Sequence, residues 1–467
     1  MGVVFARKSR HRQLFGREKY WRDALQAGKA TRLSRERNVM ILWIYRLLFG
    51  PVLLVGAPFY LWRMRRRGGY GRHFGDRFGG FDRVPAKVAG AKRIWIQAVS
   101  VGELLAIGPL LDAFKADPHV EIVLTTTTST GFALAERRYG SCTVAIGYFP
   151  LDARPFSRRT WRSLAPDLVV MVEGEWWPEH FAQARARSVP VVCINARLSD
   201  RSFRRMRWLG FALKPLFGGI AMILTGSDLD RLRFLALGFV REDRLKTTGN
   251  LKLDVAIAEL EAGEVRALRA SLGFPEDAKV LLGSSTWPGE DMAMISAFRA
   301  VRERDRTWRL LLVPRHAERR QEIVPLLAES GFTFHVRSTG SAPGSVDIVL
   351  ADTTGELRKL TQLAELVFVG KSLRPHHEGQ TPIEAAALSK PLLFGPGMSN
   401  FRSIAQELVQ SRAAMVVEDA EALKIAILQL AHEPAEREVM ATAAAEWHRH
   451  NRGALDRTVA ALHQMLA

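Results

Sequence analysis

The sequence predicts an α/β protein made of two doubly wound, Rossmann-like halves, preceded by a membrane-associated helical segment. Three observations support this. Short apolar runs alternate with amphipathic helical stretches after about residue 80, the alternation restarts near residue 270, and one apolar segment flanked by arginines precedes both halves. The chain has 467 residues, which is more than one hydrophobic core usually organises. Two packed halves are therefore the economical architecture.

Most of the basic charge lies in the N-terminal part of the chain. Residues 1–77 contain 18 Lys and Arg against 4 Asp and Glu, a net charge of +14, whereas the whole chain carries +19. Since the rest of the chain is nearly balanced, no basic nucleic-acid-binding fold is indicated and we expect no nucleic-acid partner. We predict a basic extension over residues 1–38 and an apolar membrane-anchoring segment over residues 39–67.

Two membrane arrangements remain open for the anchoring segment. It is long enough for a transmembrane helix, which needs about 20 apolar residues. Arg46 and four helix-breaking residues favour instead a helix–break–helix that lies in the anionic cytoplasmic leaflet. The breakers are Gly50, Pro51, Gly56 and Pro58. We therefore predict an interfacial anchor, with a single span as the alternative.

Apolar runs mark the strands of each half. In the first half these runs are 94–98, 122–124, 168–172, 191–194 and 222–224. In the second half they are 280–283, 310–313, 347–350, 366–370, 391–394 and 414–417. Near-continuous apolar strands with helices between them indicate parallel sheets covered on both faces. We expect a ligand crevice at the carboxyl ends of the strands, between the halves.

The strand and helix patterns also suggest domain limits. We place an N-terminal α/β domain at residues 78–255 and a C-terminal α/β domain at residues 270–440. Residues 441–467 are predicted to form C-terminal helices. The polar helical stretch near residues 256–271 joins the two domains in this interpretation.

The first half carries carboxylates at two predicted strand ends. Ser100 and Glu103 follow the first strand at a helix start, where their spacing favours an N-cap and a capping box. The functional alternative for Glu103 is a carboxylate that accepts a proton from a hydroxyl nucleophile. Glu173 and Glu175 follow another strand beside two tryptophans. That loop is either a polar substrate surface with apolar stacking faces or an exposed loop whose tryptophans cover the core.

The second half carries residues suited to an anion. Ser285 and Thr286 end one strand, and Arg315 follows another, where a guanidinium can pair bidentately with a phosphate. Gly379 and Thr381 precede a proline that is expected to open a helix, which is a further anion-binding arrangement.

Metal and cofactor motifs are not evident in the sequence. There is no Walker A motif, no GxGxxG fingerprint, no HExxH and no CxxC pair. The adjacent His376 and His377 need further ligands to hold an ion, and two cysteines are too few for a cysteine-ligated zinc site. We expect neither a metal nor another cofactor.

Taken in order, these motifs resemble the 3-deoxy-D-manno-octulosonic acid (Kdo) transferases of lipid A biosynthesis, a family of GT-B-type glycosyltransferases. The resemblance covers roughly residues 40–450. Its markers are Ile44-Tyr-Arg-Leu-Leu48, Trp95-Ile-Gln-Ala-Val-Ser-Val-Gly-Glu103, Glu173-Gly-Glu-Trp-Trp-Pro178, Asn195-Ala-Arg-Leu-Ser199, Thr248-Gly-Asn-Leu-Lys-Leu-Asp254, Ser285-Thr286, Pro314-Arg-His316 and Gly395–Asn400.

The resemblance implies a GT-B-type fold, in which two Rossmann-like domains face each other across a cleft. It also implies transfer of Kdo from a CMP-Kdo donor to a lipid A precursor, with inversion at the anomeric carbon and without an essential metal. The partners would then be the donor, the lipid acceptor and the cytoplasmic leaflet of the inner membrane. We expect the protein at the cytoplasmic face of that membrane, attached through its N-terminal segment.

Site residues follow from the same resemblance. It assigns Glu103 as the general base that deprotonates the acceptor hydroxyl. The implied acceptor-binding residues are Ser100, Gly102, Glu173, Glu175 and Arg197. The implied donor-binding residues are Lys252, Ser285, Thr286, Pro314, Arg315, His316, Gly379, Gln380, Thr381, Glu384 and Asn400. Among these, Arg315 is expected to neutralise the departing CMP phosphate and Glu384 to hold the ribose.

Three stretches depart from the family pattern. Gln97 stands where the family has the histidine of Trp-Ile-His, and Trp287 stands where it has the histidine of Ser-Thr-His. Gln380 and Thr381 stand where the family has His-Asn of Gly-Gly-His-Asn. Two alternatives therefore stay open. One is a GT-B-type transferase or epimerase acting on a different nucleotide sugar, and the other is a non-catalytic membrane-associated adaptor on a transferase fold.

Overall fold

The computed structural model describes residues 39–59, 62, 72–254 and 257–466. The predicted extension over residues 1–38 and most of residues 60–71, including the end of the predicted anchoring segment, lie outside the described residues. Contacts divide the described chain into two compact units. The first unit runs up to Thr248 and includes the residues from Thr458 onwards, and the second unit runs from Gly249 to Arg457.

The first unit is built on a seven-stranded sheet in which every neighbouring pair is parallel. Its strands are β1 Lys92–Gln97, β2 Val120–Thr126, β3 Ala145–Tyr148, β4 Leu168–Val172, β5 Val191–Ala196, β6 Ile220–Thr225 and β7 Leu245–Thr247. Its helices are α1 Val39–Phe59, α2 Val101–Ala106, α3 Gly108–Lys115, α4 Ser129–Tyr139, α5 Arg154–Leu164, α6 Pro178–Ala186, α7 Asp200–Trp208, α8 Gly210–Leu213 and α9 Asp228–Leu237.

The second unit repeats the architecture with another seven-stranded parallel sheet. Its strands are β8 Lys279–Thr286, β9 Trp308–Pro314, β10 Phe334–Val336, β11 Ile348–Leu350, β12 Leu366–Val369, β13 Leu392–Phe394 and β14 Ala414–Val416. The helices from the second unit onwards are α10 Ala262–Leu272, α11 Glu290–Arg304, α12 Arg320–Glu329, α13 Leu357–Gln362, α14 Ile383–Ala387, α15 Arg402–Gln410, α16 Ala420–His432, α17 Pro434–Asn451 and α18 Ala454–Leu466.

Both faces of the second sheet are covered by apolar cores. Val280 and Leu282 of β8 belong to one buried cluster, whereas Leu281 between them belongs to the other. Successive side chains of a strand point to opposite faces, so a strand that is buried on both faces is a near-continuous apolar run. This confirms the prediction of doubly wound parallel α/β domains.

The strand order places a switch point in each sheet. The first sheet has the order β3-β2-β1-β4-β5-β6-β7, and the second has the order β10-β11-β9-β8-β12-β13-β14. In the first unit the chain passes from β1 outward to β2 and β3 and then returns to β4, on the other side of β1. In the second unit it passes from β8 to β9, β10 and β11 on one side and then returns to β12 on the other. The switch points therefore lie between β1 and β4 and between β8 and β12. Loops diverge at such points, and open α/β sheets bind ligands there.

The apolar N-terminal segment is one continuous helix, α1, that is long and apolar enough to cross a membrane. The predicted break at Gly50 and Pro51 is wrong, because α1 continues through both residues to Phe59. A proline inside a helix removes one hydrogen bond and crowds the preceding turn, yet its fixed φ angle is compatible with a helix, and in α1 the helical conformation is kept through Pro51. The outward side is strongly apolar, with Leu47 77% and Val55 84% exposed.

Arg46 of α1 is paired within the first unit. Its Nε donates to Oε2 of Glu179 at 2.7 Å and its Nη2 to Oε1 at 3.3 Å. The Arg46 side chain is 18% exposed and Glu179 is fully buried. Next to it, the Tyr45 hydroxyl donates to Oδ2 of Asp152 at 2.7 Å. Arg46, the one charged residue of α1, therefore holds this helix against the rest of the first unit.

Candidate functional site

Glu103 lies at the switch point of the first sheet, in the first turn of α2. The Ser100 hydroxyl oxygen accepts from the Glu103 backbone N–H, which confirms the predicted N-cap. The Glu103 carboxylate in turn accepts from the Val99 backbone N–H at 2.7 Å and from the Ser100 hydroxyl at 3.0 Å. The capping arrangement thus exists, with Val99 rather than the N-cap residue as the backbone donor. These hydrogen bonds fix the position of the Glu103 side chain.

The electrostatics of Glu103 depart from those of a simple cap. The residue is 8% exposed, and burial raises the pKa of its carboxyl to about 7. The negative charges of Glu173 and Glu175 also raise this pKa, whereas the hydrogen bonds from Val99 and Ser100 lower it. A buried carboxylate near other carboxylates holds protons more tightly. Glu103 is consequently poised to gain or lose a proton near neutral pH.

Glu173 and Glu175 join this group from the loop that follows β4, which neighbours β1 in the sheet. Burial raises the pKa of Glu175, and hydrogen bonds from Trp177 and Gln97 lower it. The Trp177 indole N–H donates to Glu175 at 2.7 Å. We call Glu103, Glu173 and Glu175 the carboxylate cluster.

The end of β5 supplies a positive charge and an amide to the carboxylate cluster. Arg197 Nη1 lies 3.9 Å from Oε1 of Glu173, and Asn195 Nδ2 donates to the same oxygen at 3.5 Å. Beneath them the buried Cys193 thiol has its pKa raised by burial and by the charges of the cluster. The structure therefore brings together Ser100, Glu103, Glu173, Glu175 and Arg197, as the sequence predicts of residues at neighbouring strand ends.

Gly102 and Gln97 lie beside the carboxylate cluster. A Cβ on Gly102 would have only the Ser100 hydroxyl oxygen within 4 Å, at 3.9 Å, so the space beside this backbone is open. Gln97 is fully buried. Its side chain accepts from the Thr125 hydroxyl at 2.8 Å and donates to the Thr127 hydroxyl at 3.0 Å. This departure from the family pattern thus contacts the carboxylate cluster of the first unit.

In the second unit, the two strand ends at the switch point are tied together by Glu290. Its buried carboxylate accepts backbone N–H bonds from Lys371, Ser372, Leu373 and Trp287 at 2.7 to 3.1 Å. Burial raises the pKa of Glu290 and these hydrogen bonds lower it.

The backbone at Gly370 is equally constrained. A Cβ on this residue would lie 2.5 Å from the Ser285 carbonyl oxygen, so only glycine fits where the loops after β8 and β12 approach each other. Ser285 itself has φ 54°, in the left-handed region.

Thr286 and Arg315 meet through the backbone at the ends of β8 and β9. The Arg315 N–H donates to the Thr286 carbonyl at 3.2 Å, and the Arg315 side chain is exposed. The Thr286 hydroxyl is fully buried and donates to Asp291 at 2.6 Å, while Asp291 is paired with the buried Arg319. Thr286 is therefore fixed within the unit, and Arg315 extends from its surface.

The loop before α14 also folds back on the switch point. Gly379 has φ 71°, and a Cβ there would lie 2.5 Å from the Met398 sulfur. Its N–H donates to Lys371, and the N–H of Gln380 donates to Gly370. The loop is thereby joined to the end of β12.

α14 begins at Ile383, one residue after the proline that was expected to open it. The Thr381 hydroxyl donates to Glu384 at 3.1 Å, and Arg358 lies 3.8 Å from the same carboxylate. Lys252 lies on the 3-10 turn Leu251–Asp254, which packs against α14.

A cavity of about 520 Å³ lies beside the loop that follows β13. Its wall includes Gly395, Met398 and Ser399 of that loop and Arg402 of α15. The Asn400 N–H, next in the chain, donates to the Glu378 carbonyl at 2.9 Å. The loop after β13 thus borders a space that suits a small ligand, while Asn400, the donor residue predicted in this loop, is not among the residues that line it.

Trp287, another departure from the family pattern, forms the centre of an aromatic and cationic group. Lys371 Nζ lies 4.2 Å from its ring centroid. The rings of His316 and His376 lie 5.6 and 5.7 Å away in edge-on arrangements. His316, a predicted donor residue, is thus brought to Trp287.

Some residues of these sites carried no sequence signal. Glu290 lies in an ordinary helix-start pattern, and Asn195 was a family marker without an assigned role. The signal that singles out Asn195 is its φ of 51° at a strand end, which is structural. Among the described residues, no three His, Cys, Asp or Glu side chains form a group that could hold a metal ion.

Comparison with known proteins identifies the family. The family model of the 3-deoxy-D-manno-octulosonic-acid transferases (kdotransferases) matches residues 72–255. The chain is 36% identical to the 3-deoxy-D-manno-octulosonic acid transferase of Bordetella pertussis, over 87% of this chain and 95% of that protein. It is 33% identical to the transferase of the same name from Haemophilus influenzae, over 88% of this chain and 93% of the relative.

Solved structures share the fold. The Anabaena HepE protein in complex with UDP has a TM-score of 0.55 at 15% identity and is matched over 80% of this chain and 99% of its own. The UDP-GlcNAc 2-epimerase of Neisseria meningitidis has a TM-score of 0.56 at 13% identity, over 80% and 100% of the two chains. At such identities the likeness concerns the GT-B-type fold alone. Its identity to the Bordetella and Haemophilus proteins over most of its length shows that the chain belongs to the 3-deoxy-D-manno-octulosonic acid transferase family. It is therefore a glycosyltransferase.

Proposed function

We propose that this chain transfers Kdo from CMP-Kdo to a lipid A precursor, with inversion at the anomeric carbon and without a metal. The observation that carries the proposal is Glu103, a buried carboxyl with a pKa of about 7 at the switch point of the first sheet. It lies in the segment matched by the Kdo transferase model. Membership of the family supports the reaction, and the geometry supports the roles of individual residues.

In this proposal Glu103 is the general base. The acceptor hydroxyl oxygen attacks the anomeric carbon of Kdo, the bond from that carbon to the phosphate oxygen breaks, and Glu103 takes the hydroxyl proton. A base works best when its pKa is near the working pH, which the carboxylate cluster provides. Ser100 and Gly102 shape the turn, and Arg197 together with Glu173 and Glu175 contacts the acceptor.

The second unit receives the leaving CMP. The Arg315 guanidinium takes part in no ion pair among the residues described, so its charge is available to a phosphate. Ser285, His316, Gly379 and Gln380 complete the surroundings of that phosphate at the carboxyl ends of β8, β9 and β12. Preorganised positive charge at a leaving group stabilises the transition state, and this is why the proposal needs no metal.

The remaining donor residues hold the nucleoside and the sugar. Glu384 accepts hydrogen bonds from the ribose hydroxyls, with Thr381 orienting its carboxylate, as their 3.1 Å hydrogen bond suggests. Lys252 and Asn400 line the donor site. Thr286 and Pro314 fix the strand ends from which Ser285 and Arg315 project.

We place the reaction at the cytoplasmic face of the inner membrane. α1 supplies the anchor, since its exposed surface is apolar and basic clusters flank it in the sequence. An anionic leaflet attracts such flanks. The acceptor is itself a lipid, so anchoring brings the enzyme to its substrate.

The test is an assay of the purified full-length protein in detergent with CMP-Kdo and a lipid A precursor. We expect a product heavier by one or more Kdo residues, with inverted anomeric configuration by NMR and a rate unaffected by EDTA. The matched control is Glu103→Gln. Consumption of a UDP-sugar instead of CMP-Kdo would overturn the donor assignment. A wild type with no turnover of any nucleotide sugar would favour the adaptor.

A further inference from the structure

The first turn of α6 is capped by a residue that lies far from it in the chain. Trp177, directly before this helix, makes no side-chain cap hydrogen bond, although a residue at this position usually accepts one from the second or third helical N–H. Asp152 accepts both instead, the Glu179 N–H on Oδ2 at 3.0 Å and the His180 N–H on Oδ1 at 2.9 Å. Asp152 is 1% exposed, so this capped turn is a buried tertiary contact.

Two adjacent residues of α1 hold the capped turn. The Tyr45 hydroxyl donates to Oδ2 of Asp152 at 2.7 Å, the oxygen that also accepts the Glu179 N–H. Arg46 donates two hydrogen bonds to the Glu179 carboxylate. Burial raises the pKa of the Asp152 carboxyl to about 7, whereas hydrogen bonds, among them the one from Tyr45, lower it. The Tyr45 hydroxyl thus favours the ionised form of Asp152, which is the stronger hydrogen-bond acceptor.

The capped turn also ends the short loop that carries part of the carboxylate cluster. This β4–α6 loop comprises residues 173–177. At its start the Glu173 N–H donates to the Ile194 carbonyl of β5 at 2.9 Å. At its end Trp177, the residue from which α6 begins, donates from its indole to Glu175 at 2.7 Å. The position of Glu175 therefore depends on how the first turn of α6 is held.

We infer that Tyr45 and Arg46 are positioning residues of the acceptor site, acting on the β4–α6 loop through the capped turn of α6. This inference rests on the proposed function. The apolar helix α1 then does more than attach the protein to a membrane, since its docking fixes one end of the loop that carries Glu175. A misplacement of about 1 Å in an active site can cost about 100-fold in rate, so a hydroxyl outside the site can influence the reaction.

Tyr45→Phe tests the inference with the smallest change. It removes one hydroxyl and leaves the aromatic ring and the apolar side of α1 in place. A loosened loop lets water reach Glu103 and moves the charge of Glu175 away from it, and both changes lower the pKa of Glu103. The matched control is Thr160→Val, because Thr160 is fully buried in the same unit and its hydroxyl donates within its own helix, α5, at 3.0 Å.

The experiment uses the full-length protein in detergent micelles with CMP-Kdo and the lipid A precursor. We expect Tyr45→Phe to lower kcat/KM for the acceptor about tenfold, to leave KM for CMP-Kdo unchanged and to move the rising limb of the pH profile to lower pH. Arg46→Lys, which keeps one charge but loses the two-point pair, should show the same pattern. Thermal unfolding and vesicle flotation establish that each variant is folded and still binds membranes.

A double variant tests whether Tyr45 acts through the β4–α6 loop. Tyr45→Phe and Glu175→Gln are each expected to move the rising limb to lower pH. Changes that act on the same loop are not independent. We therefore expect the combined variant to shift the limb by less than the sum of the two single shifts.

The outcomes separate the inference from the function on which it rests. A folded Tyr45→Phe with the acceptor kinetics and pH profile of the wild type would overturn the positioning role and leave the transferase activity in place. Equal effects of Thr160→Val, or additive shifts in the double variant, would overturn it as well. If Tyr45→Phe does not fold, the same criteria apply to Arg46→Lys. A wild type that transfers no Kdo to the precursor would overturn both proposals.

Discussion

The Glu103 carboxylate accepts the backbone N–H of Val99 at 2.7 Å, so the proposed base is also the residue that closes the first turn of α2. The two roles are separable, because an amide oxygen still accepts the cap hydrogen bond but cannot act as the base. We expect Glu103→Gln to keep the fold and to lose about 10²–10⁴-fold in kcat. Circular dichroism and the acceptor assay measure the two effects.

A purely structural role for Glu103 gives the opposite pattern. Glu103→Gln would then retain most of the wild-type rate, and Glu103→Ala would lose stability and rate together. Ser100→Ala serves as the cap control, since it removes a cap hydrogen bond worth about 1 kcal/mol and leaves the carboxylate in place.

The pH dependence of the rate follows from the pKa of Glu103. The base is active when deprotonated, so kcat/KM is expected to rise with pH through about 7 and to level off above it. Removing the neighbouring negative charge in Glu175→Gln lowers the Glu103 pKa, and the rising limb moves to lower pH. The exposed Glu242, paired with Arg231, provides the control variant Glu242→Gln, whose profile should match that of the wild type.

Arg315 is expected to act on the donor rather than on the acceptor. Arg315→Ala should lower kcat/KM for CMP-Kdo about 100-fold, and Arg315→Lys should recover only part of it, because a lysine cannot pair bidentately with a phosphate. Steady-state kinetics at varied donor concentration measure this. Arg320→Ala, which removes an exposed arginine near Asp352, is the control. Equal effects of both variants would refute a specific phosphate contact.

Breaking the Arg46–Glu179 pair is expected to destabilise the first unit strongly. Arg46→Met leaves the fully buried Glu179 without its ionic partner, a change that typically costs about 3–5 kcal/mol. Adding Glu179→Gln should recover part of the loss, since a neutral amide is less costly to bury. Urea unfolding in detergent measures both. Removal of the exposed Lys424–Glu421 pair by Lys424→Ala should cost at most about 1 kcal/mol.

Membrane binding is expected to depend on the outward side of α1. Leu47→Lys with Val55→Lys places two charges on that side and leaves Tyr45 and Arg46 docked. We expect this variant to shift from the membrane to the soluble fraction in vesicle flotation, with its activity on a deacylated acceptor as the test of folding. A variant that still floats with vesicles would reveal a second membrane-binding surface.

Much of the fold could be predicted from the sequence, because buried parallel strands are near-continuous apolar runs. Three strands, β3, β7 and β10, show no clear apolar run in the sequence. All three lie at the edge of a sheet and have only three or four residues. An edge strand is covered less completely, so its sequence is less apolar. The continuity of α1 does not follow from local propensity, because glycine and proline each disfavour the interior of a helix.

The candidate site was predictable in its parts and not in its electrostatics. The N-cap role of Ser100 follows from local spacing alone. The raised pKa of Glu103 depends on Glu173 and Glu175, which reach it only because β4 lies beside β1. That neighbourhood is a property of strand order, which local sequence does not encode. The role of Glu290 is missed for the same reason, since three of its four backbone partners lie 81 to 83 residues further along the chain.

The docking of α1 also implies an order of assembly. Glu179, the partner of Arg46, lies 133 residues later in the chain, so α1 is synthesised well before that carboxylate. During this interval Arg46 depends on water or lipid headgroups for its solvation. Docking then takes place only after α6 has been made and folded against the sheet. A chain that ends before residue 179 therefore leaves the Arg46 of α1 without its carboxylate partner.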